Sequence, residues 1–327
     1  MRKIIGIGNA LVDVITMIDN DTILEKFALP KGSMQLVDID RSGKIKEGTR
    51  HFSRTFSSGG SAANTIHGLA MVGVPSGFIG SVGYDETGDF FESDLKNSGV
   101  HTILHRRNSP TGTSVSLVSP DSERTMVTHL GAAVELKAED LKPADLKGND
   151  ILYIEGYLII NKPLVDRVCR LAKESGMKIA LDLSSFNVVQ ENLDNFKEVV
   201  SNYVDILLAN AEEAMAFTGL KPEKAIYSLS ESCEIAVVKV GAEGSWVKRG
   251  EEVLKIGTIP VTCRDTTGAG DLYASGFLYG VAGEEPLEHC GLYGAILSGK
   301  VIEISGARLT SEKLAEARIL ISEITKT

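Results

Sequence analysis

Short runs of β-branched and aliphatic residues punctuate the chain: Ile4 to Ile7, Gly77 to Val82, Ile151 to Ile154, Lys178 to Leu183, Val204 to Leu208 and Ile235 to Val240. Their apolar residues sit at successive rather than alternate positions, the pattern of strands covered on both faces of a parallel sheet. Between them lie stretches of helical character: Ala62 to Val72, Gly88 to Ser98, Lys162 to Ser175, Ala211 to Thr218 and Asp271 to Val281. This alternation predicts a doubly wound α/β domain, a mostly parallel sheet with helices on both faces.

Two regions break the alternation. About Ser33 to Phe56, and again Thr111 to Leu130, polar and apolar residues mix, as in Thr113-Ser114-Val115-Ser116-Leu117-Val118. Half-exposed antiparallel strands are expected there. One region precedes a βαβ unit and the other follows it, so the two are expected to pair as a small β-sheet lid. The lid is then formed by insertions at about 11–56 and 109–130 of a single domain spanning 1–327. Its strands either pair two copies as a homodimer or shield one active site.

Composition narrows the function. Of 327 residues 43% are hydrophobic and 24% charged, the balance of a folded globule. Acids outnumber bases 44 to 34, a net charge of −10, which argues against holding a nucleic-acid backbone by bulk charge. Asn9 and Asp13 interrupt the first apolar run, and no stretch approaches the roughly 18 apolar residues of a membrane span. A cytoplasmic chain with no membrane partner is expected. Cys169, Cys233, Cys263 and Cys290 lack the paired spacing of a zinc or redox motif, and the six histidines show no metal-ligand spacing.

The densest chemistry lies in Asp265-Thr266-Thr267-Gly268-Ala269-Gly270-Asp271, leading into a helix. Small residues before a helix place the free N–H groups of Gly268, Ala269 and Gly270 at the positive end of its dipole, an anion site that close backbone approach requires. Asp271 in the first turn is either a dipole partner or a base facing the same space, where it would accept the proton of a hydroxyl attacking a phosphoryl group. The helix N-terminus is expected to hold its pKa down.

That heptad and a second one, Ser58-Gly59-Gly60-Ser61-Ala62-Ala63-Asn64, resemble the C-terminal and N-terminal signatures of the ribokinase-like (PfkB) carbohydrate kinases, in the order the family shows. The resemblance covers essentially the whole chain and implies an ATP-dependent kinase of a small sugar or nucleoside. It implies Asp271 as catalytic base and Gly268, Ala269 and Gly270 as the anion hole. It also implies that Gly59, Gly60 and Asn64 lie at the acceptor hydroxyls. Glycines opening a helix let backbone approach a ligand, and Asn64 offers both a donor and an acceptor.

Asn9 and Asp13 follow the first strand, where open α/β sheets bind ligands, and the two acceptor oxygens of Asp13 suit vicinal hydroxyls. The run from Gly8 to Asp13 resembles the adenosine kinase branch, making adenosine the expected acceptor and a ribose- or fructose-type sugar the alternative. Phe52 and Phe56 are candidate walls for a purine. Asn210-Ala211-Glu212-Glu213 matches the family motif that orders magnesium, with Glu213 acting through water; Asp182 is a further acid of that cleft edge. Lys239 to Gly244, with Gly241 and Gly244, matches the loop beside the nucleotide, although other members often carry Thr where this chain has Lys239; a solvated lysine is expected. The family resemblance also implies potassium near the anion hole, with Asp265 at a ligand position.

Two other function classes remain. An NAD-dependent oxidoreductase lacks its fingerprint, because Gly6-x-Gly8 meets Leu11 and not a third glycine; Gly43 to Gly48 has phosphate-loop spacing but continues with Thr49-Arg50. A non-catalytic ligand sensor is expected to lose the base or the anion-hole glycines, and both are present.

Overall fold

A computed structural model describes residues 1–121 and 123–325. β1 (Ile4–Ile7) lies in a large sheet, and the chain passes at once to β2 (Leu11–Met17) in a smaller one. β3 (Met34–Leu36) and β4 (Arg54–Gly59) belong to the smaller sheet, whereas β5 (Ser76–Gly83) and β6 (His101–Arg107) return to the large one. β7 (Gly112–Val118) and β8 (Arg124–His129) complete the smaller sheet. β9 (Ile151–Glu155), β10 (Lys178–Asp182), β11 (Ile206–Asn210), β12 (Ile235–Lys239), β13 (Ser245–Arg249) and β14 (Glu252–Ile256) all join the large sheet.

Among the described residues the large sheet has nine strands in the order β14-β13-β12-β11-β10-β9-β1-β5-β6, antiparallel only at β12–β13 and β13–β14. Every residue of β1, β5 and β9 is buried, as successive apolar positions require. One face packs Ile4, Phe78 and Tyr153 against Ile66, Leu69 and Phe277; the other packs Ile5, Leu152 and Ile179 against Val168, Phe196 and Ile226. Each such side chain contributes about 1.5–3 kcal/mol of burial. From β1 the chain builds outward first through β5 and β6, and later through β9 and its successors. The topological switch, and with it the ligand crevice, therefore falls at the carboxyl ends of β1 and β9.

The smaller sheet runs β3-β8-β7-β2-β4 and is mixed, correcting the expected antiparallel arrangement: β2–β7 and β3–β8 are parallel, β2–β4 and β7–β8 antiparallel. Region 33–56 contains the helix Ile39–Gly48, N-capped by Asp38, where strands were expected. β7 is buried along its whole length rather than half exposed, and it lies between β8 and β2 in the middle of its sheet. No helix among the described residues is long and apolar enough to cross a membrane.

Candidate active site

The helix Ala269–Ala282 starts at Gly268, whose φ of +76° is the left-handed conformation glycine adopts freely. A Cβ there would lie 2.5 Å from the Ala307 Cβ, so the turn is closed to a side chain. Three residues on, Asp271 faces a second helix, Ser61–Met71: Ser61 Oγ donates to its Oδ1 at 2.8 Å and Asn64 Nδ2 to its Oδ2 at 2.9 Å. The two signature segments, about 210 residues apart in the chain, meet at this carboxylate. Burial pushes the Asp271 pKa up, and the hydrogen bonds from Asn64 and Ser61 offset this only in part; nearby Asp182 pushes the same way as burial. The pKa is thus raised rather than depressed as expected, with desolvation its largest cause.

Gly60 caps the Ser61–Met71 helix at φ +95°, and a Cβ on it would sit 2.1 Å from the Asn9 carbonyl oxygen. Asn9 in turn is held by Glu155 at the end of β9. The Glu155 carboxylate accepts from Asn9 N at 2.9 Å, Asn9 Nδ2 at 2.6 Å and Ala62 N at 2.9 Å. Glu155 therefore ties β1, β9 and the glycine-led helix together at the switch point, and burial raises its pKa to about 7. The sequence reading missed this residue. Its signal is an acid closing a fully apolar strand, the same signal that marks Asp182.

Asp13 lies against Gly59, where a Cβ would come within 2.2 Å of its Oδ2. Burial raises its pKa to about 6, with Arg308 pulling down and Asp271 pushing up. In the smaller sheet Asp13 pairs with Ser114, Ser114 with Thr128, and Thr128 with Leu36. Paired residues share a face, so Asp13, Ser114, Thr128 and Leu36 form one row, with Leu11, Ile15, Met126 and Met34 two positions away on the same face. Phe56 pairs with Val14, which faces the core, so it stands on the face opposite Asp13; Phe52 packs against the core beside His51. Phe56, a candidate purine wall, therefore does not share the face of Asp13, and Phe52 is engaged by the core. A cavity of about 490 Å³ opens along the far end of the row, lined by Leu36, Val37, Ile39, Pro110, Thr128 and Val134 among others.

On the opposite side of Asp271, Lys239 at the end of β12 pairs with Asp182 at the end of β10, 2.7 Å apart and with only 13% and 6% of the side chains exposed. Burial lowers the lysine pKa, but Asp182 and Glu213 outweigh it and hold the group above its ordinary value. Lys239 is therefore a buried cation rather than a solvated one, and its Nζ lies 3.5 Å from where a Cβ on Gly270 would be. Asn210 and Glu213 form a capping box, Asn210 N and Nδ2 each donating to the Glu213 carboxylate at 2.7 Å. Burial raises the Glu213 pKa to about 7. Gly241 and Gly244 shape the turn from β12 to β13. Asp265 is held by its own turn and by the smaller sheet: Oδ1 accepts from Thr267 N and Oγ1, Oδ2 from Gly306 N, and Arg124 of β8 lies 2.5 Å from Oδ2.

With one carboxylate at the head of a glycine-led helix, the polar groups of Asp13 and Asn64 near it and a buried cation at Lys239, the arrangement suits transfer of an anionic group to an alcohol. The comparisons with known proteins agree. Residues 33–314 match the pfkB family of carbohydrate kinases. The chain belongs to this family, and is a phosphotransferase acting on a sugar or nucleoside hydroxyl. Membership implies ATP and typically magnesium. The adenosine kinase from Sinorhizobium meliloti superposes with a TM-score of 0.87 at 35% identity, covering 98% of this chain and 99% of that one. A probable sugar kinase from Rhizobium etli superposes with a TM-score of 0.88 at 33% identity, covering 98% of both chains. The 5-dehydro-2-deoxygluconokinase of Geobacillus kaustophilus is 27% identical over 81% of this chain and 84% of its own length.

Proposed function

We propose that this chain transfers the γ-phosphoryl group of ATP to the primary hydroxyl of adenosine, with Asp271 as the base. The observation that carries the reading is the meeting of Asp271, Ser61 and Asn64 at the head of the Gly268-capped helix, which sets a proton acceptor beside an anion site. Because Nδ2 of Asn64 donates to Asp271, its Oδ1 is fixed in the opposite sense, and this oxygen is buried without a donor. A buried orphan acceptor is costly unless a ligand hydroxyl fills it.

The ribose hydroxyls take Asp13 and Asn64 Oδ1 as acceptors. This leaves the primary hydroxyl to give its proton to Asp271 as its oxygen bonds to phosphorus and the bond to ADP breaks. The raised pKa of Asp271 makes it a better proton acceptor than an ordinary carboxylate. N–H groups at Gly268 and Gly270 stabilise the phosphoryl oxygens, while the Ala269 N–H, expected to be free, instead donates to the Thr266 carbonyl at 3.1 Å as the turn closes; Lys239 adds a desolvated positive charge on the nucleotide side, beside the turn of Gly241 and Gly244. When bound, magnesium screens the phosphate charge. Both Glu213 oxygens are engaged by Asn210, yet each keeps an acceptor position, which suits a cation held through water rather than directly. The smaller sheet acts as a lid that excludes water from the transfer.

Adenosine is favoured over a free sugar by the face that carries Asp13. The row is polar at Asp13, Ser114 and Thr128 and ends at Leu36, which is 64% exposed, with Met34 beside it 52% exposed. A base extending along this face covers that apolar surface, whereas a furanose or a 5-dehydro-2-deoxygluconate leaves it in water. ADP release measured against adenosine, ribose, fructose and 5-dehydro-2-deoxygluconate tests the choice. Adenosine is expected to show the highest kcat/KM, and a larger value for any free sugar would overturn the assignment.

A further inference from the structure

Potassium at Asp265, implied by the family resemblance, does not fit the residues around that carboxylate. A carboxylate offers about four acceptor positions. Thr267 N at 3.1 Å and Thr267 Oγ1 at 2.8 Å occupy Oδ1, and Gly306 N at 2.6 Å occupies one position of Oδ2. Nη2 of Arg124 covers the rest of Oδ2 at 2.5 Å, as a charge contact rather than an aligned hydrogen bond. The guanidinium is pinned from its other nitrogen, Nη1, which donates to Thr267 Oγ1 at 3.0 Å. Arg124 and Asp265 keep only 11% and 9% of their side chains exposed, so their charges are poorly screened.

We infer that the Arg124 guanidinium takes the place of a monovalent cation beside the anion-hole turn, and that this chain needs no such ion. A cation bound at Asp265 would have to displace Arg124 or lie against a like charge with little water between them. Arg124 belongs to the smaller sheet and Asp265 to the turn that leads into Gly268, 141 residues further along the chain. The charge beside the anion hole therefore arrives with the smaller sheet, which couples closure of that sheet to the shape of the turn. The role of the turn in phosphoryl transfer rests on the kinase reading above; occupation of the cation position does not.

The test uses the full chain in chloride salts of potassium, sodium or tetramethylammonium at equal ionic strength, with melting temperature and initial rate on adenosine as readouts. A ligand that binds only the native state raises the melting temperature saturably. The wild type is expected to show the same melting temperature in all three salts, and rates equal to within about twofold, the scatter left once screening is held constant. Arg124→Gln vacates the position and is expected to gain a saturable, potassium-specific rise in both readouts, whereas Arg124→Lys, which keeps the charge, is expected to gain neither. A potassium-specific rise in the wild type overturns the inference, and so does a folded Arg124→Gln that ignores potassium in both readouts. If adenosine is not turned over, the adenosine assignment fails while the melting arm still decides the cation question.

Discussion

Replacing Asp13 by Asn keeps the shape that fits against Gly59 and removes the charge proposed to meet the acceptor. A hydrogen bond to a charged group contributes about 1.5–3 kcal/mol, so loss of the charge is expected to lower acceptor kcat/KM by about 10- to 150-fold near neutral pH. The pH dependence sharpens the test. Burial lifts the Asp13 pKa to about 6, so its carboxylate is lost as pH falls through that value, well above the range of a free aspartate. At about pH 5 only about one tenth of the wild type carries the charge, and the gap between wild type and Asp13→Asn is expected to close by about tenfold. The ratio of the two enzymes at each pH cancels the titration of Glu155 and Glu213, which both share; Asp271, which feels the Asp13 charge, is displaced only toward lower pH in the variant. Initial rates at varied acceptor and fixed saturating ATP, across that pH range, provide the ratio. A ratio that stays constant with pH, or a rise in the KM for ATP as large as that for the acceptor, would refute the placement of Asp13 at the acceptor hydroxyls.

Lys239→Met strands the Asp182 charge in a buried site and is expected to cost about 3–5 kcal/mol in urea unfolding, with Asp182→Leu in the same chain recovering most of the stability but not the transfer rate. The row from Asp13 to Leu36 makes a paired test of register. Leu36→Ala is expected to raise the KM for adenosine by about tenfold, the worth of an apolar contact of about 1.4 kcal/mol, while Phe56→Ala on the opposite face leaves it unchanged. Equal effects of the two would place the base elsewhere.

The central strands were legible because burial on both faces writes successive apolar residues into the chain, and their observed limits differ from the expected ones by a residue or two. Local chemistry was legible for the same reason: Gly268 to Asp271 and Gly60 to Asn64 are contiguous, and each segment carries its own turn, helix start and polar group. What escaped were pairings across long stretches of chain. Lys239 looks like a surface lysine until β10 brings Asp182 beside it, and Arg124 has no local mark at all of its contact with Asp265. The Leu287–Val301 helix carries Gly291, Gly294 and Gly299, residues that weaken the helical signal of the sequence. In the fold they sit against Ile256, Tyr273 and Ile259, where a larger side chain would collide. Register was the remaining blind spot: which face Phe56 takes depends on a pairing with Val14 that strand composition does not encode.

The raised pKa of Asp271 and its position between the anion turn and Asn64 make the proton transfer the most exposed part of the account. Single-turnover phosphorylation of adenosine by Asp271→Asn, with MgATP saturating and folding checked by circular dichroism, addresses it directly. The rate is expected to fall by about 10²- to 10⁴-fold, the usual worth of a positioned base, with little change in the KM of either substrate. A folded Asp271→Asn enzyme that transfers the phosphoryl group within about tenfold of the wild-type rate, less than a positioned base contributes, would contradict Asp271 as the base.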